Sequence, residues 1–410
     1  MPRSLALDAR LPGVQVKSVG LHPLLYRKRI DRADRDAHPG DLVEVYADGN
    51  LGGYGLYNPK AELALRMLSG PGELPDEAFW QRRLADAVRL RRDILRLDEV
   101  TDAYRVVHAE GDGLSGLVID KLGDVLSAEC FSFAMHQRAA AILALLAPML
   151  GTKHTLIRCG PASLSQEGFE SPDITSPEMP PRVTIQEFGT RFRVDFGAGH
   201  KTGFFCDQRD NRKMLAGFCG GKSVLDLCCY TGGFAIQAKK LGGAGEVIGV
   251  DLDEAPLALA RENANLNQVR IKFAQADSFA YIRDMQSTGR KFDVVVLDPP
   301  KLIRSRAELD EGTKKHFDLN RLAMRLVAPG GIMVSCTCAG LLPREEFVRL
   351  LISAARQAGP EISPATTERY AHHAPRQVQI LAQTGASPDH PFATNCPEGE
   401  YLTAVWMRLM

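Results

Sequence analysis

No Cys-x-x-Cys pair occurs among the nine cysteines of this 410-residue chain, whose only close pairs are Cys228-Cys229 and Cys336-Thr-Cys338. Neither has structural zinc spacing, and nine thiols are too sparse for a disulfide scaffold in a chain this long. We therefore expect no metal, and a reducing, cytoplasmic setting. Charge of one sign is also missing, since fifty basic and fifty acidic residues cancel. That excludes a tail-like polycationic binder while leaving room for a local basic face. No apolar run reaches the ~20 residues that span a bilayer. The longest, Ala139 to Leu150, is broken by Pro148 and reads as a buried helix. The first twenty residues carry Arg3, Asp8, Arg10 and Lys17 around no apolar core, so no secretory signal is expected there. Internal repeats and low-complexity tracts are absent.

What is present fits an ordinary globular protein: 45% hydrophobic and 24% charged residues. At ~150 residues per domain the length suggests two or three folding units. Residues 10 to 70 alternate apolar positions with Gly, Asn and Asp turns. The strand candidates are Val14 to Val19, Asp41 to Ala47, Gly52 to Tyr57 and Ala61 to Leu68, a pattern typical of a small β-barrel-like module. Asp76 to Asp98 switches to helical periodicity, with many arginines opposite the apolar face. From Arg105 to Gly189 a modest α+β pattern follows, ending in a hairpin about Gly189. Beyond Gly220 strands and helices alternate. Ser223 to Leu227, Val247 to Asp251, Ile271 to Ala276, Val294 to Asp298 and Ile332 to Cys336 read as strands of a parallel sheet covered on both faces. Phe234 to Leu241, Glu254 to Asn265, Phe279 to Met285 and Thr313 to Val327 read as its helices, and Gln377 to Ala382 and Tyr401 to Arg408 as final strands.

Ligands of an open parallel sheet sit outside the carboxyl ends of its strands. The first strand leads into Asp226-Leu-Cys-Cys-Tyr230-Thr231-Gly232-Gly233-Phe234, whose small residues let backbone N–H groups approach a ligand at a helix start. Asp251, eighteen residues beyond Gly233, is placed to accept hydrogen bonds from the two hydroxyls of a ribose. Asp277 ends the third strand, near an adenine edge, and Asp298-Pro299-Pro300-Lys301 ends the fourth. The Gly-x-Gly-x-x-Gly loop that seats a pyrophosphate is missing, which argues against a nicotinamide oxidoreductase. An acidic first-strand end instead suits S-adenosylmethionine, which has a positive end and no phosphate. Any one of these aspartates could be a plain helix cap; acidic residues at four successive strand ends are harder to dismiss.

The chain also resembles a known family. Lys201-Thr-Gly-Phe-Phe205-Cys-Asp207-Gln208-Arg209-Asp-Asn-Arg212, the segment Leu225 to Phe234, Asp298-Pro-Pro-Lys301 and Ser335-Cys336-Thr337 look like the bacterial 23S rRNA (cytosine-C5)-methyltransferases that carry an N-terminal PUA domain. The resemblance extends to His22-Pro23, Gly40 to Val45, Glu110 to Asp120, Asp389-His-Pro391 and Glu398 to Tyr401, so it covers nearly the whole chain. It departs after His22-Pro23, where the family usually has a Trp and this chain has Leu24-Leu25. The resemblance implies a PUA-like RNA-binding domain (1–70), a linker helix (71–100), a small central α+β domain (101–197) and a class I, Rossmann-like, S-adenosylmethionine-dependent methyltransferase domain of α/β type (198–410). It also implies that Phe205 and Gln208 join Asp226, Tyr230, Thr231, Gly232, Gly233, Phe234, Asp251, Asp277, Asp298 and Pro299 around the cofactor.

C5 of cytosine is too poor a nucleophile to attack a methyl sulfonium until a thiolate adds at C6. Such an enzyme needs a cysteine at a strand end beside base and cofactor, and Cys336 fits, next to the strand ending in Asp298. A free thiol of pKa ~8.5 needs local activation for this. Asp298 would hold the N3/N4 edge of the base. The bland alternative makes Cys336 and Cys338 small buried residues finishing a strand. Cys338, past the strand end, is the weaker nucleophile candidate. Lys301 stands where two-cysteine RNA enzymes carry their second cysteine, which implies a one-cysteine mechanism. The group that removes the C5 proton is not legible.

The target base must be unstacked into the pocket, and Lys201, Arg209, Arg212, Lys301, Arg304 and Arg306 are candidate phosphate contacts. The Arg27 to Arg29 cluster and the Arg82 to Arg96 helix read more simply as solvated faces, because aspartates interleave them. The expected partner is 23S rRNA, with no membrane, and a homodimer is left open. Two other readings stand beside this one: a methyltransferase acting on an exocyclic guanine or adenine nitrogen, and a non-catalytic RNA-binding protein.

Overall fold

In the computed structural model the described residues are 2–7, 10–197, 202–359, 361, 362 and 372–410. They pack as two compact units. Unit 1 comprises Met1–Gln186, Val194–Asp207 and Pro388–Gly399; unit 2 comprises Glu187–Arg193, Gln208–Ser387 and Glu400–Met410.

Unit 2 is built on seven strands: β1 (Ser223–Leu227), β2 (Glu246–Asp251), β3 (Lys272–Gln275), β4 (Phe292–Leu297), β5 (Val327–Thr337), β6 (Val378–Thr384) and β7 (Thr403–Leu409). Their spatial order is β3-β2-β1-β4-β5-β7-β6. The first five run parallel, while β7 is antiparallel to both β5 and β6. The strand order reverses at β1, so the crevice lies outside the ends of β1 and β4. The helices are α1 (Arg209–Ala216), α2 (Gly233–Lys240), α3 (Glu254–Leu266), α4 (Ser278–Ser287), α5 (Leu309–Met324) and α6 (Arg344–Ala355).

Side chains alternate across each strand, so each strand serves two cores. Leu225, Leu227, Val295, Leu297, Met333 and Val405 pack with residues of α4, α5 and α6. Val224, Val294, Val296, Val334, Cys336 and Trp406 pack on the other face with Leu215 of α1 and Phe234, Ala235 and Ala238 of α2. The expected parallel strands and final antiparallel pair are all present, with ends shifted by a few residues. Two helices went unread. Arg209 and Arg212 of α1 are buried, against the rule that arginine marks solvent. In α6, Phe347, Leu350, Leu351 and Ala354 are buried at clear helical spacing after Pro343.

Two sheets lie wholly within unit 1. Six strands, in the order Leu24–Leu25, Leu65–Ser69, Asn50–Tyr57, Leu42–Ala47, Gly13–Val16 and Ile30–Ala33, enclose Val14, Val16, Leu25, Val43, Val45, Tyr57 and Leu65. The turn between Leu42–Ala47 and Asn50–Tyr57 has positive φ at both Asp48 and Gly49, the hairpin geometry that Asp-Gly favours. A second sheet runs Ile174–Thr175, His154–Arg158, Val125–Cys130, Leu117–Leu122 and Ala103–His108. The Pro- and Ser-rich segment 171–181 thus contributes a two-residue edge strand. The helix Phe133–Leu150 is long and apolar enough to cross a membrane, with half of that stretch buried inside the protein. It packs in one core with Phe79, Trp80 and Leu84 of the helix Glu77–Arg89. That helix is capped by Asp76, whose side chain accepts from the Phe79 N–H.

The arginine-rich stretch proves to be mostly self-paired. Arg82 and Arg83 meet Glu73, Arg89 meets Asp86, Arg92 meets Asp98 and Arg96 meets Glu99. Arg91 differs: it is fully buried and clamps both oxygens of Asp112, at 2.6 and 2.8 Å.

Candidate active site

The register of the sheet assembles the site. In the parallel ladder Leu227 stands opposite Leu297, and Leu297 opposite Ser335. One residue further along, Asp298 and Cys336 are neighbours at the carboxyl ends of β4 and β5. By the two-residue period, Asp226 and Cys336 share the face that α1 and α2 cover. Ser335 and Thr337 point the other way, where Ser335 donates to Asn320 Oδ1 and Thr337 contacts His316 Nε2. His316, whose pKa burial lowers to about 4, therefore serves the opposite core and not the thiol.

Gln208 bridges the face. Its Nε2 donates to Asp298 Oδ2 at 3.0 Å, and its Oε1 accepts from Asn211 Nδ2 at 2.6 Å. Cys336 is completely buried. Burial pushes its thiol well above the usual range, the negative charge of Asp298 pushes the same way, and a hydrogen bond from Gln208 works against both. An amide N–H₂ on Asp298 beside a thiol is the contact that a cytosine amino group would make.

The loop after β1 is held in an unusual shape. Cys228 and Tyr230 adopt left-handed φ values of +62° and +49°, and Gly232, at +82°, precedes α2. Such conformations cost ~1–3 kcal/mol for residues with a Cβ and persist only where the surroundings hold them. Asp251 Oδ2 accepts from the Tyr230 N–H at 2.8 Å, and the Cys229 N–H bonds to the Val250 carbonyl. Asp226 is 1% exposed. Its Oδ2 accepts from the Ala235 N–H at 2.9 Å, within the first turn of α2, while its Oδ1 has no partner. Burial raises its carboxyl pKa strongly, and Asp298 and Asp251 add to that. A buried carboxylate oxygen left open is costly, and a ligand with a cationic amino end would relieve the cost. On this observation the residues fit S-adenosylmethionine.

The other expected residues are distributed unevenly. Thr231, Phe234 and Pro299 are buried around the same strand ends. Asp277 is exposed and caps α4 through the Ala280 N–H at 3.0 Å, so the plain structural role is present there. Phe205 is half-buried and groups with unit 1. Lys201 lies outside the described residues. Arg209 and Arg212 have side chains only 1% and 3% exposed, so neither is offered to a phosphate; Arg212 instead forms a buried pair with Glu187. Lys301, Arg304 and Arg306 are exposed beside Asp298-Pro299, and their side chains have no carboxylate partner among the described residues. Asn211, Asn263 and Glu187 support the site and were not foreseen. The charged run Asp207 to Arg212 was the one signal for the first, since a stretch so polar, leading into the sheet, must bury some of its charge.

In unit 1, His22, Cys396 and Glu398 bring three ligand-type atoms within 4.8 Å of one another. His22 Nδ1 accepts from the Leu24 N–H, which leaves the proton on Nε2, facing Glu398 at 3.3 Å. That is a hydrogen-bonded clasp, in which the His22 ring turns an N–H and not a lone pair toward Glu398.

Comparison with known proteins gives a consistent picture. A family model described as S-adenosylmethionine-dependent methyltransferase matches residues 172–362, and one described as a PUA-like domain matches residues 15–70. Ribosomal RNA large subunit methyltransferase I of Aeromonas salmonicida is 36% identical over 394 residues, covering 94% of this chain and 95% of that protein. The protein of the same name from Pseudoalteromonas atlantica is 32% identical over 405 residues, covering 97% and 98%. Among solved structures, a protein of Streptococcus mutans described as a SAM-dependent methyltransferase superposes with a TM-score of 0.76 at 18% identity, covering 97% of this chain and 99% of that one. A methyltransferase complexed with SAH superposes at 0.75 with the same identity and coverage. At that identity the likeness speaks for the fold.

Proposed function

Because the chain belongs to the ribosomal RNA large subunit methyltransferase I family, an S-adenosylmethionine-dependent methyltransferase with a PUA-like domain, we propose that it methylates C5 of a cytosine in 23S rRNA, with Cys336 as nucleophile. The observation that carries the base assignment is the juxtaposition of Cys336 and Asp298 at adjoining strand ends, on the face that also bears Asp226.

The Cys336 thiolate adds to C6 of the ring, and Asp298 accepts from the N4 amino group while sharing a proton with N3, where the negative charge develops. S-adenosylmethionine, when bound, supplies the electrophilic methyl group that an enamine-like C5 can attack. Loss of the C5 proton then restores the double bond and expels the sulfur. Asp226 Oδ1 would hold the amino end of the cofactor, Asp251 the ribose hydroxyls and Asp277 the adenine edge, with Tyr230 to Phe234 supplying the cradle and Gln208 and Pro299 completing it. An incoming cytosine must displace the Gln208 carboxamide from Asp298, which couples entry of the base to exposure of the thiol.

Lys301, Arg304 and Arg306, whose side chains have no carboxylate partner among the described residues, are the phosphate contacts we favour. The division into a PUA-like segment (1–70), linker helix (71–100), central domain (101–197) and methyltransferase domain (198–410) and a cytoplasmic site of action belong to the same reading. The test is to incubate the protein with labelled cofactor and 23S rRNA and digest to nucleosides. Label in 5-methylcytidine is expected. Label in methylguanosine or methyladenosine would overturn the base assignment.

A further inference from the structure

Residues Glu187–Arg193 form the tip of the hairpin Arg182–Glu187/Thr190–Asp195 and lie outside the seven-stranded sheet, yet they group with unit 2. Two buried polar relays leave this tip and end on the loop at 228–233, at Gly233 and at Thr231. In the first, Glu187 takes both ends of the Arg212 guanidinium, at 2.8 and 2.5 Å, with the two side chains 1% and 3% exposed. A Cβ at Gly233 would lie 3.2 Å from Arg212 Cδ, so the arginine stem packs directly on the start of α2. Gln237 of α2 donates to the Glu187 carbonyl at 3.0 Å and accepts from the Thr190 hydroxyl at 2.9 Å. In the second relay the Arg193 N–H donates to Asn263 Oδ1 at 2.7 Å, and Asn263 Nδ2 donates to the Thr231 carbonyl at 3.3 Å. Asn267 exchanges hydrogen bonds with the Arg191 backbone, at 2.9 and 2.6 Å, and fixes the same contact.

Both relays end directly after the segment with left-handed Cys228 and Tyr230, at Thr231 and Gly233. Strain of that kind relaxes unless neighbours over-determine it: Asp251, Val250 and Ser278 hold residues 228–230, and the relays hold the residues that follow. We infer that the hairpin tip is a brace that keeps the loop in its cofactor-ready shape before the cofactor arrives, so that Glu187, Thr190, Arg212 and Asn263 are positioning residues for S-adenosylmethionine. The inference rests on the proposed function for the identity of the ligand, but not for the preorganisation itself. Preorganisation of this kind raises affinity by removing the ordering cost from the binding step.

The test uses the full chain and two readouts, neither of which needs turnover. Backbone hydrogen exchange of residues 228–234 is measured without cofactor, and cofactor affinity is measured by calorimetry. Arg212→Met keeps the stem on Gly233 and removes the guanidinium; Asn263→Ala removes the donor to Thr231. Thr190→Val is nearly isosteric, deletes one hydroxyl, and secures the test should either of the others fail to fold. Exchange in the loop is expected to rise about tenfold or more in the first two and two- to threefold in Thr190→Val, with exchange in β6 and β7 unchanged. Cofactor affinity should fall by similar factors. Unchanged loop exchange and affinity in folded variants would overturn the inference. So would exchange that rises evenly through unit 2, which would mark a purely structural role. Wild-type protein that binds no S-adenosylmethionine would instead overturn the proposed function, and the exchange result would still decide whether the brace exists.

Discussion

Asp112 in unit 1 and Asp226 in unit 2 are both buried carboxylates, but their surroundings answer them differently. Asp112 has each oxygen on the Arg91 guanidinium, and its Oδ2 also accepts from the His108 N–H at 2.6 Å. Asp120 is closed in the same way, by Arg105 at 2.5 and 3.2 Å and by the Thr202 hydroxyl. Asp226 has one backbone amide, one open oxygen and two further carboxylates close enough to raise its pKa. A buried charge whose every atom is met by a fixed cation holds a fold together. One left open among like charges, under a strained loop, is arranged for a cation that comes and goes.

The sharpest way to break this contrast is a pair of isosteric substitutions. Asp112→Asn strands the Arg91 cation and should cost about 3–5 kcal/mol of stability in denaturant unfolding, with cofactor affinity unchanged in the folded fraction. Next in size is the pH dependence of the open cluster. Burial and Asp298 both raise the Cys336 thiol, so the reactive thiolate is the minor form at neutral pH. kcat/KM should therefore climb close to tenfold per pH unit through neutrality and level off only above ~8.5, the ordinary thiol value. A plateau already reached at pH 7 would contradict this.

Asp226→Asn should do the reverse of Asp112→Asn. It should leave the melting temperature unchanged or higher and weaken cofactor binding about 10- to 150-fold, the ~1.5–3 kcal/mol of a charge-assisted hydrogen bond. Equal losses of stability in the two asparagine variants would erase the distinction. The smallest effects belong to surface cations. Alanine at Lys301, Arg304 or Arg306 should each lower the salt dependence of RNA binding by about one unit of slope. Alanine at Arg82 or Arg92, already paired with Glu73 and Asp98, should change it little.

Much of this was legible because the methyltransferase sheet obeys simple periodicities. β-branched runs ending in Asp226, Asp251 and Asp298 locate the strands and their functional ends together, and Cys336 follows from the same count. Three things were hidden for physical reasons. Arg91, Arg209 and Arg212 carry the residue type that normally marks solvent, and only a partner such as Asp112 or Glu187, distant in sequence, makes their burial tolerable. The role of Asp277 as a cap cannot be told from a ligand contact by spacing, since both place an aspartate just before a helix. The links from Asn263 to Thr231 and from Glu187 to Arg212 depend on where a hairpin tip lands, which no local pattern encodes.

The central claim is that the sulfur of Cys336 bonds to the target base, and trapping tests it most directly. An rRNA fragment containing 5-fluorocytosine at the target lacks the C5 proton whose loss releases the enzyme, so incubation with S-adenosylmethionine should leave a stable protein–RNA adduct. Peptide mapping by mass spectrometry should place that adduct on Cys336 and find none in the Cys336→Ala protein. An adduct on Cys338, or methyl transfer to unsubstituted cytosine that persists in Cys336→Ala, would contradict the account.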